Sequence, residues 1–160
     1  MKNKLYVILG VLVLIIGSIF FAANKWSNEK SLYYPSSALY PHEASILATV
    51  IESKFAEIGK PTMSGRGSNT GSMRPFIGYN TILIIETDVT INQLNIGDII
   101  VYSKDNGAFV SHQVIEIDGD KVNTMGVNNG LIDHLWVDKD NLVGRVAVVI
   151  FTKHAPVKER

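Results

Sequence analysis

Two residues in this chain have types and settings suited to nucleophilic chemistry, Ser72 and His112. Ser72 closes a glycine-rich loop in Thr70-Gly71-Ser72-Met73-Arg74-Pro75, where small residues let a backbone approach a ligand closely. A serine hydroxyl is a weak nucleophile until a base takes its proton. His112 lies about forty residues further on, in Phe109-Val110-Ser111-His112-Gln113-Val114. Imidazoles titrate near ~6.5 in model peptides, which suits a general base at neutral pH. Strand alternation puts His112 on the same face as Val110 and Val114. Taken singly, each residue has an ordinary role, a turn serine and a hydrogen-bonded core histidine. As a pair they need a third group to hold the imidazole. Asp133 is a candidate, and spacing alone does not choose it over Asp138 or Asp140.

Other chemistries find little support. Lys plus Arg number 15 and Asp plus Glu 15, so the formal net charge is zero. That excludes a strongly basic nucleic-acid binder and an acidic tail, and no nucleic-acid partner is expected. With no cysteine, a disulfide framework, a Cys-based zinc site and a cysteine nucleophile are all excluded. His42, His112, His134 and His154 never fall at H-x-H or H-x-x-x-H spacing, so no metal and no cofactor is expected. Gly65-x-Gly67-x-x-x-Gly71 misses the dinucleotide fingerprint by one residue and no strong strand precedes it. Ser27-x-x-Lys30 matches an acylase motif formally but lacks the companion motifs.

The elements that must position Ser72 and His112 are legible as patterns. Leu5 to Ala23 runs without a charge, long enough at ~1.5 Å per residue to span a ~30 Å hydrocarbon core. Lys2 and Lys4 precede it, Lys25 and Lys30 follow it with Glu29 partly offsetting them, and Trp26 sits at an interface position. The expectation is a single-pass anchor in lipid with the N-terminus cytoplasmic and the remainder outside. A cleaved leader ending at Phe21-Ala22-Ala23 is the rival. Residues 24–64 read as a spacer holding one amphipathic helix at 42–58, whose stripe is Ile46, Leu47, Val50, Ile51, Phe55 and Ile58. Gly59 and Pro61 end it. Residues 62–71 read as a loop. From residue 76 the chain turns to strands: Thr81–Thr87, Asp98–Lys104, Ala108–Ile117, Lys121–Met125 and Leu142–Phe151. Asn106-Gly107, Asp118-Gly119 and Asn129-Gly130 are hairpin-type turn signals, so the strands should pair antiparallel. The fold class is mainly β, with a catalytic domain at 65–153 and a tail at 154–160.

In this order the motifs resemble the type I signal peptidase family of serine peptidases. The likeness is greatest to the histidine-dependent branch found in the endoplasmic reticulum, archaea and some bacteria. Ser72-Met73-Arg74-Pro75 matches the Ser-Met-x-Pro box, and Gly97-Asp98-Ile99-Ile100-Val101-Tyr102 the Gly-Asp strand. His112-Gln113-Val114 matches the His-Arg-Val box, and Thr124-Met125-Gly126-Val127-Asn128-Asn129 the Thr-x-Gly-Asp-Asn-Asn box. Gly144-Arg145-Val146 matches a closing Gly-Arg/Lys-Val strand. The resemblance covers the anchor and residues 70–150. It implies a signal-peptidase-like antiparallel sheet with Ser72 as nucleophile, His112 as general base and Asp133 orienting it. It also implies an oxyanion hole from the Ser72 amide and Thr70. No lysine stands at the His112 position; Lys104 and Lys121 are the lysines on flanking strands.

Three features depart from the pattern. Gln113 replaces an arginine, Val127 replaces the first aspartate of its box, and the stretch between anchor and Ser72 is longer than usual. The implied function is a membrane-anchored endopeptidase that cleaves exported or membrane-inserted proteins after small residues. The long spacer and Val127 point toward a processing peptidase for one dedicated partner, and Val127 also to a non-catalytic membrane-tethered binding module that keeps the fold. The sequence leaves the oligomeric state open.

Overall fold

The computed structural model describes residues 38–68 and 70–153. The expected anchor Leu5–Ala23, the first part of the spacer and the tail 154–160 lie outside the described residues. Among the described residues no helix is long and apolar enough to cross a membrane.

The helix expected at 42–58 runs from Pro41 to Glu57 (α1). Proline at its first position lacks the N–H that would otherwise go unpaired there. The Glu43 carboxylate accepts the Tyr40 N–H at 2.8 Å, completing the N-terminal cap. At the far end Gly59 takes φ 74°, and the Lys60 N–H returns to the Phe55 carbonyl at 2.9 Å. The buried face differs from the expected stripe. Ala44 and Ala48 are the buried positions, joined by partly buried Leu47 and Ile51 over Ile82, Ile84 and Ile150. Ile46, Val50 and Ile58 face solvent, at 64%, 50% and 73% exposure. The small alanines let the helix backbone approach the sheet, and hydropathy alone ranks them below the isoleucines that point outward.

The strands are Thr62–Arg66 (β1), Thr81–Glu86 (β2), Ile99–Ser103 (β3), Phe109–Asp118 (β4), Lys121–Met125 (β5) and Leu142–Phe151 (β6). They form one sheet in the order β1-β2-β6-β3-β4-β5, antiparallel at every pairing. The expected loop 62–71 is corrected in its first half, because β1 is an edge strand paired with β2. Its residues, Thr-Met-Ser-Gly-Arg, carry no apolar alternation. An edge strand half in solvent is specified by its ladder hydrogen bonds rather than by a buried face. β2, in contrast, is buried along its whole length. Ile82 and Ile84 pack beneath α1, while Leu83 and Ile85 pack with Met73, Ile77 and Val101. A third cluster joins Ile100, Tyr102, Val114, Val122 and Val137 across β3, β4 and β5.

Two of the sequence boxes meet in an ionic knot away from Ser72. Glu86, 4% exposed, takes Lys60 at 2.7 Å on one oxygen and Arg145 at 2.8 Å on the other. Arg145 also reaches Asp98 at 3.5 Å and the Gln93 carbonyl at 3.3 Å. The hydrogen bonds from Lys60 and then Arg145 hold the Glu86 carboxyl below its usual range. The Gly-Asp and Gly-Arg pairs are thus read as a tie between β2, β3 and β6 rather than as chemistry.

Candidate active site

Ser72 stands on a turn between β1 and β2 that is pinned from below. Met73 and Ile77, 3% and 4% exposed, are buried among Leu83, Ile85 and Val101. Full burial of such a side chain stabilises by roughly 1.5–3 kcal/mol, so the Met of the Ser-Met step is the anchor that fixes the serine. Gly71 adopts φ 78°, a left-handed conformation that glycine enters without a Cβ penalty. The Arg74 N–H closes the turn on the Gly71 carbonyl at 3.2 Å.

His112 sits in the middle of β4, opposite Ile100 of β3, and is 6% exposed. Its Nε2 lies 2.9 Å from the Ser72 Oγ. Its Nδ1 lies 2.5 Å from Oδ2 of Asp133. Asp133 is carried by the segment after β5, where an antiparallel bridge joins Ile132 to Met125 and the Asp133 N–H bonds the Thr124 carbonyl at 2.8 Å. Asp133 Oδ2 also accepts the Thr124 hydroxyl at 2.6 Å and the Tyr102 hydroxyl at 3.1 Å. Burial pushes the Asp133 carboxyl up, but bonds from His112, Thr124 and Tyr102 outweigh it, and it ends below the usual carboxylate range. Burial lifts the Tyr102 phenol to about 12, so it remains a donor. A charged Asp133 accepts only, which places the ring proton of neutral His112 on Nδ1 and leaves Nε2 free to accept from Ser72.

Of the three aspartates left open by spacing, the structure brings Asp133 to the imidazole. Asp138 and Asp140 are used in the turn before β6, where an Asp138 carboxylate oxygen accepts the Asp140 N–H at 2.8 Å. Lys121 lies over the Trp136 ring at 4.6 Å and beside Asp118 at 3.5 Å, away from Ser72. Lys104 belongs to the β3–β4 turn. Thr70 is adjacent to the serine, its Oγ1 3.4 Å from the Ser72 Oγ and 3.1 Å from the Ser68 Oγ. Thr124 and Tyr102 stand inside two of the sequence boxes, yet sequence reasoning gives them no role. Both are fully buried, and a buried hydroxyl on a strand next to that of a candidate histidine is the signal that could have found them. His42 stacks on Tyr40 and His134 is exposed. Among the described residues no cluster of three or more His, Cys, Asp or Glu could hold a metal ion.

Val127 takes no part in this network. Its side chain packs against the apolar cluster of Met73, Ile77, Leu83, Ile85 and Val101. Val127→Asp is therefore expected to leave turnover unimproved and to lower stability by about 1–3 kcal/mol, by placing a carboxylate against that cluster. A thermal melt and a turnover assay on one preparation check this. A faster and equally stable variant overturns it.

The chain thus presents an antiparallel β domain bearing a Ser–His–Asp hydrogen-bonded series, the arrangement of a serine hydrolase. No protein-family model matches it. The chain is similar to signal peptidase I W of Bacillus subtilis (strain 168), 26% identical over 104 residues. That alignment covers 61% of the chain and 55% of the relative, so the chain spans about half the length of the curated relative it matches. This is a distant likeness to a type I signal peptidase.

Proposed function

We propose that the chain is a membrane-anchored serine endopeptidase of the type I signal peptidase kind, with histidine as base. It cleaves signal peptides or similar segments after small residues of exported or membrane-inserted proteins. The observation that carries this reading is the continuous series Ser72 Oγ–His112 Nε2, 2.9 Å, and His112 Nδ1–Asp133 Oδ2, 2.5 Å. The similarity to a named signal peptidase supports the choice of substrate class.

The mechanism follows from the donors and acceptors. His112 Nε2 takes the Ser72 proton as Oγ attacks the scissile carbonyl. Asp133 stabilises the imidazolium that forms, and stays ionised while it does so. The negative oxygen of the tetrahedral intermediate is met by the Ser72 N–H and the Thr70 hydroxyl. The imidazolium then protonates the leaving amine, and the C–N bond breaks to give an ester on Ser72. Water, deprotonated by the same Nε2, attacks that ester and frees the serine. Every catalytic group recovers its starting protonation, and no cofactor enters.

The test is a panel of preproteins, including one whose apolar run ends in Ala-x-Ala, incubated with detergent-purified full-length protein and read by intact mass. The expected result is one cut after a small residue, together with fluorophosphonate labelling that maps to Ser72. Folded protein that neither cuts the panel nor takes the label sinks the reading in favour of a non-catalytic module. Labelling without cutting points instead to a dedicated partner.

A further inference from the structure

Asn128 grips the carbonyls on both sides of the Ser72 residue. Its side-chain Nδ2 donates to the Gly71 carbonyl at 3.0 Å. Its backbone N–H donates to the Ser72 carbonyl at 2.7 Å. The Gly71 carbonyl also receives the Arg74 N–H, so both of its lone pairs are engaged. The Gly71–Ser72 bond is trans, and a planar trans peptide points its carbonyl and its N–H in opposite directions. Holding the Gly71 oxygen therefore aims the Ser72 N–H the other way. That N–H meets no acceptor among the described residues and is free to bond a ligand.

The clamp has something to hold against. Gly71, at φ 78°, has the conformational freedom to let its following peptide rotate. A rotated peptide would present a carbonyl where the reacting oxygen needs a donor. We propose that Asn128 is a positioning residue for the oxyanion hole, fixing the Gly71–Ser72 peptide so that the Ser72 N–H meets the developing negative charge. The proposal rests on the peptidase reading above, and it assigns a role to a side chain that touches neither substrate nor His112. Asparagine is required rather than aspartate, because the partner is a carbonyl that only accepts.

Asn128→Asp and Asn128→Ala, compared with wild type, test this. Losing an oxyanion donor outright typically lowers turnover by about 10²–10³. Misaiming it is expected to lower kcat by about 10- to 100-fold while KM changes less than about twofold. In Asn128→Ala, which adds no charge, the acid limb of the pH profile should stay where it is, since Ser72, His112 and Asp133 are untouched. Crystal structures of the variants should show the Gly71–Ser72 peptide turned or in two orientations, with the Ser72–His112 bond kept. An unchanged kcat in both variants, or an Asn128→Ala loss that also moves the acid limb, overturns the proposal. Should wild type neither cleave nor take the fluorophosphonate label, the peptidase reading falls by itself, and the clamp is still decided by the peptide orientation. A peptide that stays in place in both variants refutes it, and a turned one supports it. If Asn128→Ala does not fold, the near-isosteric Asn128→Asp carries the comparison.

Discussion

Alanine at His112 is expected to remove nearly all cleavage, about 10⁶-fold in kcat, with Ser72→Ala equally severe and the double variant no worse. The two residues act as one device: without Nε2 at 2.9 Å, the Ser72 proton has no acceptor. Asp133→Ala should cost less, about 10⁴-fold, because the imidazole remains while its orientation and countercharge are lost. Asp133→Asn should cost less again. Thr124, Tyr102 and His112 all donate to Oδ2, so an asparagine carbonyl in that place keeps every bond and the same ring tautomer, and only the charge is removed. Rates with a single preprotein across the five variants check the ranking; an Asp133→Asn enzyme slower than the Asp133→Ala enzyme contradicts it. The acid limb of the wild-type rate should carry no ionisation from Asp133. Asp133 lies below its ordinary range, so its stabilising effect is complete above the unfolded value of ~3.9 and fades only as pH falls through its lower folded value. Two ionisations on that limb would place Asp133 in the titration.

How much of this is readable beforehand depends on which force specifies each part. β5 and β6 run over the residues their β-rich composition and flanking turn signals suggest. β1 escapes a reading of the sequence, since an edge strand of small polar residues is specified by pairing with β2, a long-range contact no local pattern encodes. The existence of α1 is legible and its packing face is not. Ala44 and Ala48 take the contact because closeness to Ile82 and Ile84 outweighs side-chain size. At the site, Ser72 and His112 can be singled out by residue type and setting. Residue spacing does not separate Asp133 from Asp138 and Asp140; the motif resemblance names Asp133, and in the fold the Ile132–Met125 bridge turns its carboxylate toward His112. The hydroxyls of Thr124 and Tyr102 and the grip of Asn128 are invisible, because each acts across strands or loops apart in the chain.

Gly126→Ala is expected to reduce turnover by at least about 10²-fold in a protein that still folds, through a shift of Ser72. A Cβ at this position would lie 2.8 Å from the Ser72 Cβ, 2.9 Å from the Ser72 carbonyl oxygen and 2.3 Å from Oδ1 of Asn129. The Asn129 amide can swing away, for the residue is exposed. The Ser72 backbone cannot move as cheaply, because the Asn128 N–H holds its carbonyl and buried Met73 follows directly. Relief of the contact must then come from shifting Ser72 relative to His112, and a displacement near ~1 Å at a reacting atom costs on the order of 10² in rate. The stability loss should be modest by comparison, about 1–3 kcal/mol for an added methyl group in a tight site. The two effects separate in one experiment: kcat on preprotein beside a urea melt. A variant with wild-type kcat would mean that the 126–129 turn yields instead of Ser72, and that this turn does not set the serine's place. A variant that loses turnover and keeps its melt would identify Gly126 as the spacer that lets the segment bearing Asp133 and the turn bearing Ser72 close on opposite sides of the same imidazole.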